Sequence, residues 1–167
     1  MCGALGWFGH VAYSTWLNHK KPFEQDQKRF DEIIKSIDPY SFEAFLHVDI
    51  GCFQASYCES LSKASGEIDL IDKFEKSCLD KELKAKEQAL VTVLNKITQL
   101  IAWKSFYHGG GNTMRTFLWD SYDDSDDQQR AEAQKIKAEI EGYGRDLLEA
   151  FSAYKGYGDK KFAKRVL

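Results

Sequence analysis

Apolar residues recur at steps of three and four along most of the chain, the spacing that places them on one face of an α-helix. The first such stripe predicts a helix over residues 23–37. Asp38-Pro39 is expected to end it and open the next helix, because the residue before proline avoids the α region and proline suits a first helical turn. The second stripe predicts a helix from about Tyr40 to about Ser62, with Ala64-Ser65-Gly66 as its stop.

Further stripes follow in the second half of the chain. They predict a short helix over residues 67–77 and a longer one over residues 79–108, and the pattern leaves open whether these two are continuous. Gly109-Gly110-Gly111 is expected to stop the longer one, since glycine is the preferred left-handed terminator. A last helix is predicted to begin after the acidic stretch, capped by Asp126 or Asp127, and to end at Gly156 and Gly158.

No segment alternates between apolar and polar residues over a sustained run, so no sheet is predicted. Amphipathic helices that each carry one apolar stripe can bury those stripes only against one another. The predicted fold class is therefore all-α: a single-domain bundle of four to five amphipathic helices over residues 1–167. Residues 1–22 are an aromatic-rich N-terminal segment, and residues 155–167 are a basic C-terminal tail.

Composition excludes several classes of protein. Hydrophobic residues make up 43% of the chain, which provides a core and excludes a disordered chain. The net charge of −3 lacks the basic excess that favours sequence-independent phosphate binding, so no nucleic-acid partner is predicted. No apolar run reaches the roughly 20 residues that span a bilayer, so no membrane partner is predicted either.

The 4 cysteines include no CxxC pair. They are interpreted as free thiols of a reducing compartment, with two disulfides as the alternative, and the protein is predicted to be cytoplasmic.

The opening Met1-Cys2-Gly3-Ala4-Leu5-Gly6 resembles the start of class II glutamine amidotransferases, in which an exposed N-terminal cysteine is the nucleophile. The resemblance implies a layered α/β fold and further motifs downstream, whereas the chain shows helical stripes and none of those motifs. Cys2 is therefore interpreted as a small apolar residue. No catalytic residue and no recognised family are predicted.

The histidines provide no metal site of the kind found in helical bundles. Such sites use Glu-x-x-His or His-x-x-x-His pairs, which project two ligands from one face of a helix. His10, His19, His47 and His108 form no such pair. Neither a metal nor a cofactor is predicted.

Two carboxylates fall on predicted apolar faces. Asp49 lies between Leu46 and Phe53 on the wheel of the second helix, so it is predicted to be buried, either in an internal hydrogen bond or ion pair or as a functional group in a pocket. Glu87 falls between Leu83 and Leu90 and raises the same question with less force, because its longer side chain can reach solvent.

The segment after the triple glycine offers a candidate anion contact. Thr113 and Arg115, with the N–H groups of the turn, have the chemistry to bind an anion. The segment follows a helix and lacks the Gly-Lys-Ser/Thr ending of a P-loop, and a flexible connection between helices is the simpler interpretation.

Aromatic residues crowd the N-terminal segment and the triple-glycine turn, and an acidic stretch follows the turn. Such clusters fill cores, and beside charged residues they also form binding hot spots. The candidate binding residues are Trp7, Trp16, Trp103, Tyr107, Trp119, Asp120, Asp123 and Asp124.

The predicted function is a non-catalytic protein-binding module, such as an inhibitor, an immunity-type protein or an adaptor, that acts through aromatic and charged surface patches. Its predicted partner is another protein, and one with a basic surface would suit the acidic stretch. The alternative is an enzyme or small-ligand binder with a polar pocket around Asp49. A deep polar cavity would favour the alternative, and a broad aromatic patch would favour the binding module.

Overall fold

The computed structural model describes residues 22–74, 77–107, 112–118 and 122–163. Within this part of the chain there are five helices and one small sheet. The helices are α1 (residues 22–36), α2 (Pro39–Glu43), α3 (Ala55–Phe74), α4 (Lys81–Lys104) and α5 (Asp127–Ala163). The strands are β1 (Phe53–Gln54), β2 (Phe106–Tyr107) and β3 (Met114–Thr116). The predicted all-α bundle is confirmed.

The predicted boundary at Asp38-Pro39 is confirmed by its capping contacts. The Asp38 carboxylate accepts the Tyr40 N–H at 3.1 Å and the Ser41 hydroxyl at 3.0 Å. Pro39 occupies the first helical position of α2, where no N–H is needed.

The predicted helix from Tyr40 to Ser62 is wrong, because the chain between α2 and α3 pairs with a distant segment. The Phe117 N–H donates to the Ile50 carbonyl at 2.8 Å, and the Ala55 N–H donates to the Thr113 carbonyl at 2.9 Å. β3 lies between β1 and β2 and is antiparallel to both. The expectation of no sheet is therefore wrong for this small element. The expected stop at residues 64–66 is also wrong, since α3 continues through it.

The α3–α4 connection answers the question of continuity. α3 ends at Phe74 and α4 begins at Lys81, so the two are separate helices. Asp80 caps α4 by accepting the Leu83 N–H at 2.7 Å.

α5 begins where predicted but continues past its predicted end. The Asp126 carboxylate accepts the N–H groups of Gln128 and Gln129 at 2.8 and 3.1 Å, which confirms it as the cap. Gly156 and Gly158 lie inside the helix, which runs on to Ala163. The prediction that these glycines end α5 is therefore wrong. Gly158 serves packing instead of termination, because a Cβ at this position would overlap the Phe30 ring.

In the core α4 packs against α5, α3 against α4 and α2 against α5, and α1 contributes Phe30 and Ile33. The fully buried side chains of the core include Leu83, Leu90, Leu94 and Ile97 of α4, and Ile140, Leu147 and Tyr154 of α5. No described helix combines the length and apolar character needed to cross a membrane.

Candidate functional site

α4 and α5 run antiparallel, which gives the bundle two distinct ends. Lys161 Nζ lies 2.8 Å from Asp80 Oδ2, so the end of α5 is beside the start of α4. We call this region, formed by Asp26, Arg29, Asp80, Glu87 and Lys161, the polar end. The opposite region, where α4 ends and Trp103, Phe106 and Tyr107 lie, is the aromatic end.

The aromatic end exposes three large side chains on consecutive elements. Trp103 is 78% exposed, Phe106 55% and Tyr107 51%. Phe117, by contrast, is 1% exposed and stacks on Phe53 with 4.8 Å between ring centroids. Four of the five aromatic residues predicted to cluster around the triple glycine are described, and they are divided: Phe117 lies in the core and the other three lie at the surface.

Arg115, which lies in β3, contacts Tyr107 of β2 and Ser105, the residue just before β2. Its Nε donates to the Ser105 hydroxyl at 2.7 Å, and its Nη2 donates to the Ser105 carbonyl at 2.9 Å. Its guanidinium carbon lies 4.7 Å from the centre of the Tyr107 ring. Arg115 therefore holds β2 and orients Tyr107, while the anion contact at Thr113 and Arg115 stays a prediction.

In the described part of the acidic stretch, which starts at residue 122, the carboxylates are exposed and the chain is locally ordered by hydrogen bonds. Asp123 accepts both the N–H and the hydroxyl of Ser125, at 2.9 and 2.7 Å, and these bonds lower the pKa of its carboxyl. Asp124 accepts the Tyr122 hydroxyl at 2.9 Å. Because α5 is antiparallel to α4, its acidic start lies toward the aromatic end.

The remaining candidate binding residues, Trp7, Trp16, Trp119 and Asp120, lie outside the described residues.

The prediction that Asp49 is buried is wrong. α2 ends six residues before it, so the helical wheel that put Asp49 on an apolar face does not apply. Asp49 is exposed, and its Oδ1 accepts the Gly51 N–H at 2.9 Å. It borders a surface depression of about 350 Å³ that also includes His47 and Tyr57.

The polar end contains an ion pair inside the protein. Arg29 is 3% exposed and Glu87 is 6% exposed. The contact is bidentate: Arg29 Nε lies 3.0 Å from Glu87 Oε2, and Arg29 Nη2 lies 2.6 Å from Glu87 Oε1. This hydrogen bonding to Glu87 outweighs burial and raises the pKa of Arg29. The question raised by Glu87 in the sequence is answered: the carboxylate is buried and paired.

A second carboxylate meets the same guanidinium from the surface. Asp72, in the last turn of α3, places Oδ1 2.5 Å from Arg29 Nη2 while its own side chain is 70% exposed. The buried cation therefore contacts one interior and one exterior carboxylate.

Asp26 connects three parts of the bundle. It is 3% exposed, and it accepts the N–H groups of Leu79 and Asp80 at 2.7 and 3.0 Å. Its Oδ2 lies 3.2 Å from Lys161 Nζ. Burial acts against the charge of Lys161, but its hydrogen bonds to Asp80 and Asp26 prevail and raise its pKa. α1, the α3–α4 connection and α5 are joined through these contacts.

Two further polar groups are buried near this network. Burial raises the pKa of Cys78 to about 12, with the charge of Asp26 adding to the effect, so its thiol is protonated at neutral pH. Tyr154 is fully buried, and its hydroxyl has no hydrogen-bond partner in the described part of the chain. Cys52, Cys58 and Cys78 are free thiols, as predicted for the cysteines.

A cleft of about 660 Å³ opens onto the polar end between α3 and α4. Arg29, Asp72, Cys78, Lys84 and Glu87 are among its lining residues. The sequence contained a signal for it that periodicity alone passes over: Asp26 and Arg29 lie on the same face of α1 as the apolar residues Phe30 and Ile33. Charged residues within an apolar stripe indicate internal partners.

No family model, curated protein or solved structure matches the chain. Within the described residues, no three His, Cys, Asp or Glu side chains are placed to hold a metal ion.

Proposed function

We propose that the protein is a binding module for another protein, of the kind that serves as an inhibitor, an immunity-type protein or an adaptor, and that the aromatic end makes the contact. The observation that carries this proposal is the exposure of Trp103, Phe106 and Tyr107 on adjoining elements. Tryptophan and tyrosine are the residues most enriched in interface hot spots. Exposed apolar clusters rimmed by polar residues are typical of protein contact sites.

Two features of the aromatic end favour recognition. The contacts of Arg115 with Ser105 and Tyr107 restrict β2 before any partner arrives, which lowers the entropic cost of association. The exposed carboxylates of Asp123 and Asp124 lie toward the same end and attract a basic partner. A partner with an apolar patch bordered by basic residues fits both features.

Affinity capture from extracts of the native host, read by quantitative mass spectrometry, tests the proposal. Trp103→Ala is expected to lower the affinity for the partner by about thirtyfold, and its capture accordingly, because central aromatic anchors contribute roughly 2 kcal/mol or more. Tyr40→Ala is the matched control, since Tyr40 is 79% exposed and lies on α2. Equal capture by the wild type and Trp103→Ala would mean that the aromatic end does not contact the partner.

Salt dependence tests the acidic contribution once a partner is captured. Changing Asp123 and Asp124 to Asn should slow association at low salt and have little effect at high salt, because exposed charges act over roughly 10 Å at 0.1 M salt. Stopped-flow association across a salt series measures this. An unchanged salt slope would mean that these carboxylates do not steer the partner.

A further inference from the structure

The cleft at the polar end has the size and lining of a small-molecule site. Its volume of about 660 Å³ falls within the usual range for ligand pockets, roughly 300 to 1,000 Å³. Its lining combines the cations Arg29 and Lys84 with the Gln88 side-chain amide. It lies at the opposite end of the α4–α5 pair from the aromatic end and is therefore separate from the proposed protein-binding surface.

Arg29 has more carboxylate contacts than its burial requires. Glu87 engages both Nε and Nη2 from the interior and balances the buried positive charge by itself. Asp72 contacts the same Nη2 but has a side chain that is 70% exposed. Release of Asp72 into water would therefore leave no unpaired charge inside the protein, and it would free an Arg29 N–H at the cleft.

If Asp72 leaves Arg29, the cleft has an excess of one positive charge, which one bound anion would balance. Among the described residues that line the cleft, Arg29 and Lys84 supply two positive charges and, once Asp72 is released, Glu87 supplies one negative charge. Lys84 is half-buried, and it forms no ion pair in the described part of the chain. A single carboxylate that replaces Asp72 on Arg29 would restore the balance and lie within the same cleft as Lys84.

We propose that this cleft binds the carboxylate group of a small organic ligand, and that Asp72 occupies the ligand's position on Arg29 in the free protein. The ligand carboxylate takes the Nη2 hydrogen bond now made to Asp72, Lys84 provides the second positive charge, and Gln88 offers an amide donor. The exchange replaces one carboxylate with another on the same donor, so Arg29 and Glu87 keep their buried contact throughout.

Titrations followed by ¹H–¹⁵N NMR test the site with lactate, benzoate and inorganic phosphate. Trialanine with a free C-terminus tests whether the cleft accepts a peptide terminus as well as a small acid. Trialanine with an amidated C-terminus is its control without the carboxylate. Carboxylates are expected to give saturable shifts at α4 residues around Lys84 and Gln88. Asp72→Asn should tighten carboxylate binding by about two- to fivefold, because it removes an internal competitor whose mostly solvated carboxylate gains only that much from Arg29.

Lys84→Gln should weaken carboxylate binding by a similar factor, about two- to fivefold. Lys96→Gln and Asp69→Asn, at exposed positions of α4 and α3, are the matched controls and should leave it unchanged. The proposal is overturned if no carboxylate saturates the wild type or Asp72→Asn, or if Asp72→Asn binds no more tightly than the wild type. Saturation by phosphate alone would overturn the carboxylate class.

Discussion

The polar and aromatic ends of the α4–α5 pair differ in which side chains they bury: the polar end buries charged groups, and the aromatic end exposes aromatic rings. At the polar end, charged side chains such as Arg29, Glu87 and Asp26 are 3% to 6% exposed, and each has partners inside the protein. At the aromatic end, Trp103 and Tyr107 are more than half exposed although they are apolar enough to be buried. A buried charge of the first region destabilises the fold if it loses its partner, whereas the exposed rings of the second contribute little to folding.

The largest expected difference between the two ends is in stability. Arg29→Leu should lower the free energy of unfolding by about 3–5 kcal/mol, because it leaves Glu87 buried without its counter-charge. Trp103→Ala should change it by less than about 0.5 kcal/mol, as expected for an exposed side chain. Urea denaturation of both variants measures the contrast.

The double variant Arg29→Leu/Glu87→Leu identifies the cause of that loss. Removal of both charges eliminates the unpaired carboxylate, so the double variant should be more stable than Arg29→Leu alone. A double variant as unstable as the single one would mean that the penalty comes from lost packing and not from the charge of Glu87.

Glycine packing in α5 provides the next largest effect. Gly158→Ala should cost about 1–3 kcal/mol, because its Cβ would overlap the buried ring of Phe30. Gly156→Ala is the matched control two residues away: beyond the backbone of α5 itself, a Cβ there would have no atom of the described residues within 4 Å, so it should stabilise the helix by up to about 1 kcal/mol. Equal thermal stability of the two variants would contradict the close contact.

The smallest effect is a pH dependence at the polar end. Hydrogen bonds from Leu83 and Lys161 outweigh burial and lower the pKa of Asp80. This stabilisation is complete above the unfolded pKa, roughly 3.9, and is lost as the pH falls through the lower folded value. Asp80→Asn retains a good capping residue but loses the charge, so it should cost about 1 kcal/mol or less at pH 7.

That difference between the wild type and Asp80→Asn should shrink as the pH falls below about 4. Denaturant midpoints measured from pH 7 to pH 2 follow it. A constant difference over that range would show that the charge of Asp80 does not stabilise the folded protein.

Local chemistry was predictable from the sequence, and contacts between distant segments were not. The boundary at Asp38-Pro39 and the cap at Asp126 were predicted correctly because both depend on residues within one helical turn. The end of α2 was missed because Ile50 and Ala55 bond to a segment more than fifty residues away. A stripe of apolar residues cannot distinguish one helix from two short elements that bury the same side chains.

The candidate sites show the same division. The sequence identified the aromatics near the triple glycine and the question of Glu87, but it could not tell that Phe117 is buried while Phe106 is exposed. It placed weight on Asp49, whose burial depended on a helix that does not form. The sequence already places Asp26 and Arg29 on the apolar face of α1, but their partners lie more than fifty residues away and are identified only by the folded structure.

The two close-packed glycines of α5 set a constraint on the length of the chain. Gly158 lies against Phe30, and a Cβ on Gly144 would lie 3.0 Å from the Phe45 carbonyl oxygen. Fourteen residues separate the glycines, nearly four helical turns, so both are on similar faces of α5. One inserted or deleted residue between them would rotate one glycine by roughly 100° and bring a bulkier neighbour into its place. Surface substitutions can accumulate in this stretch of α5, but its residue count is fixed by two points of contact.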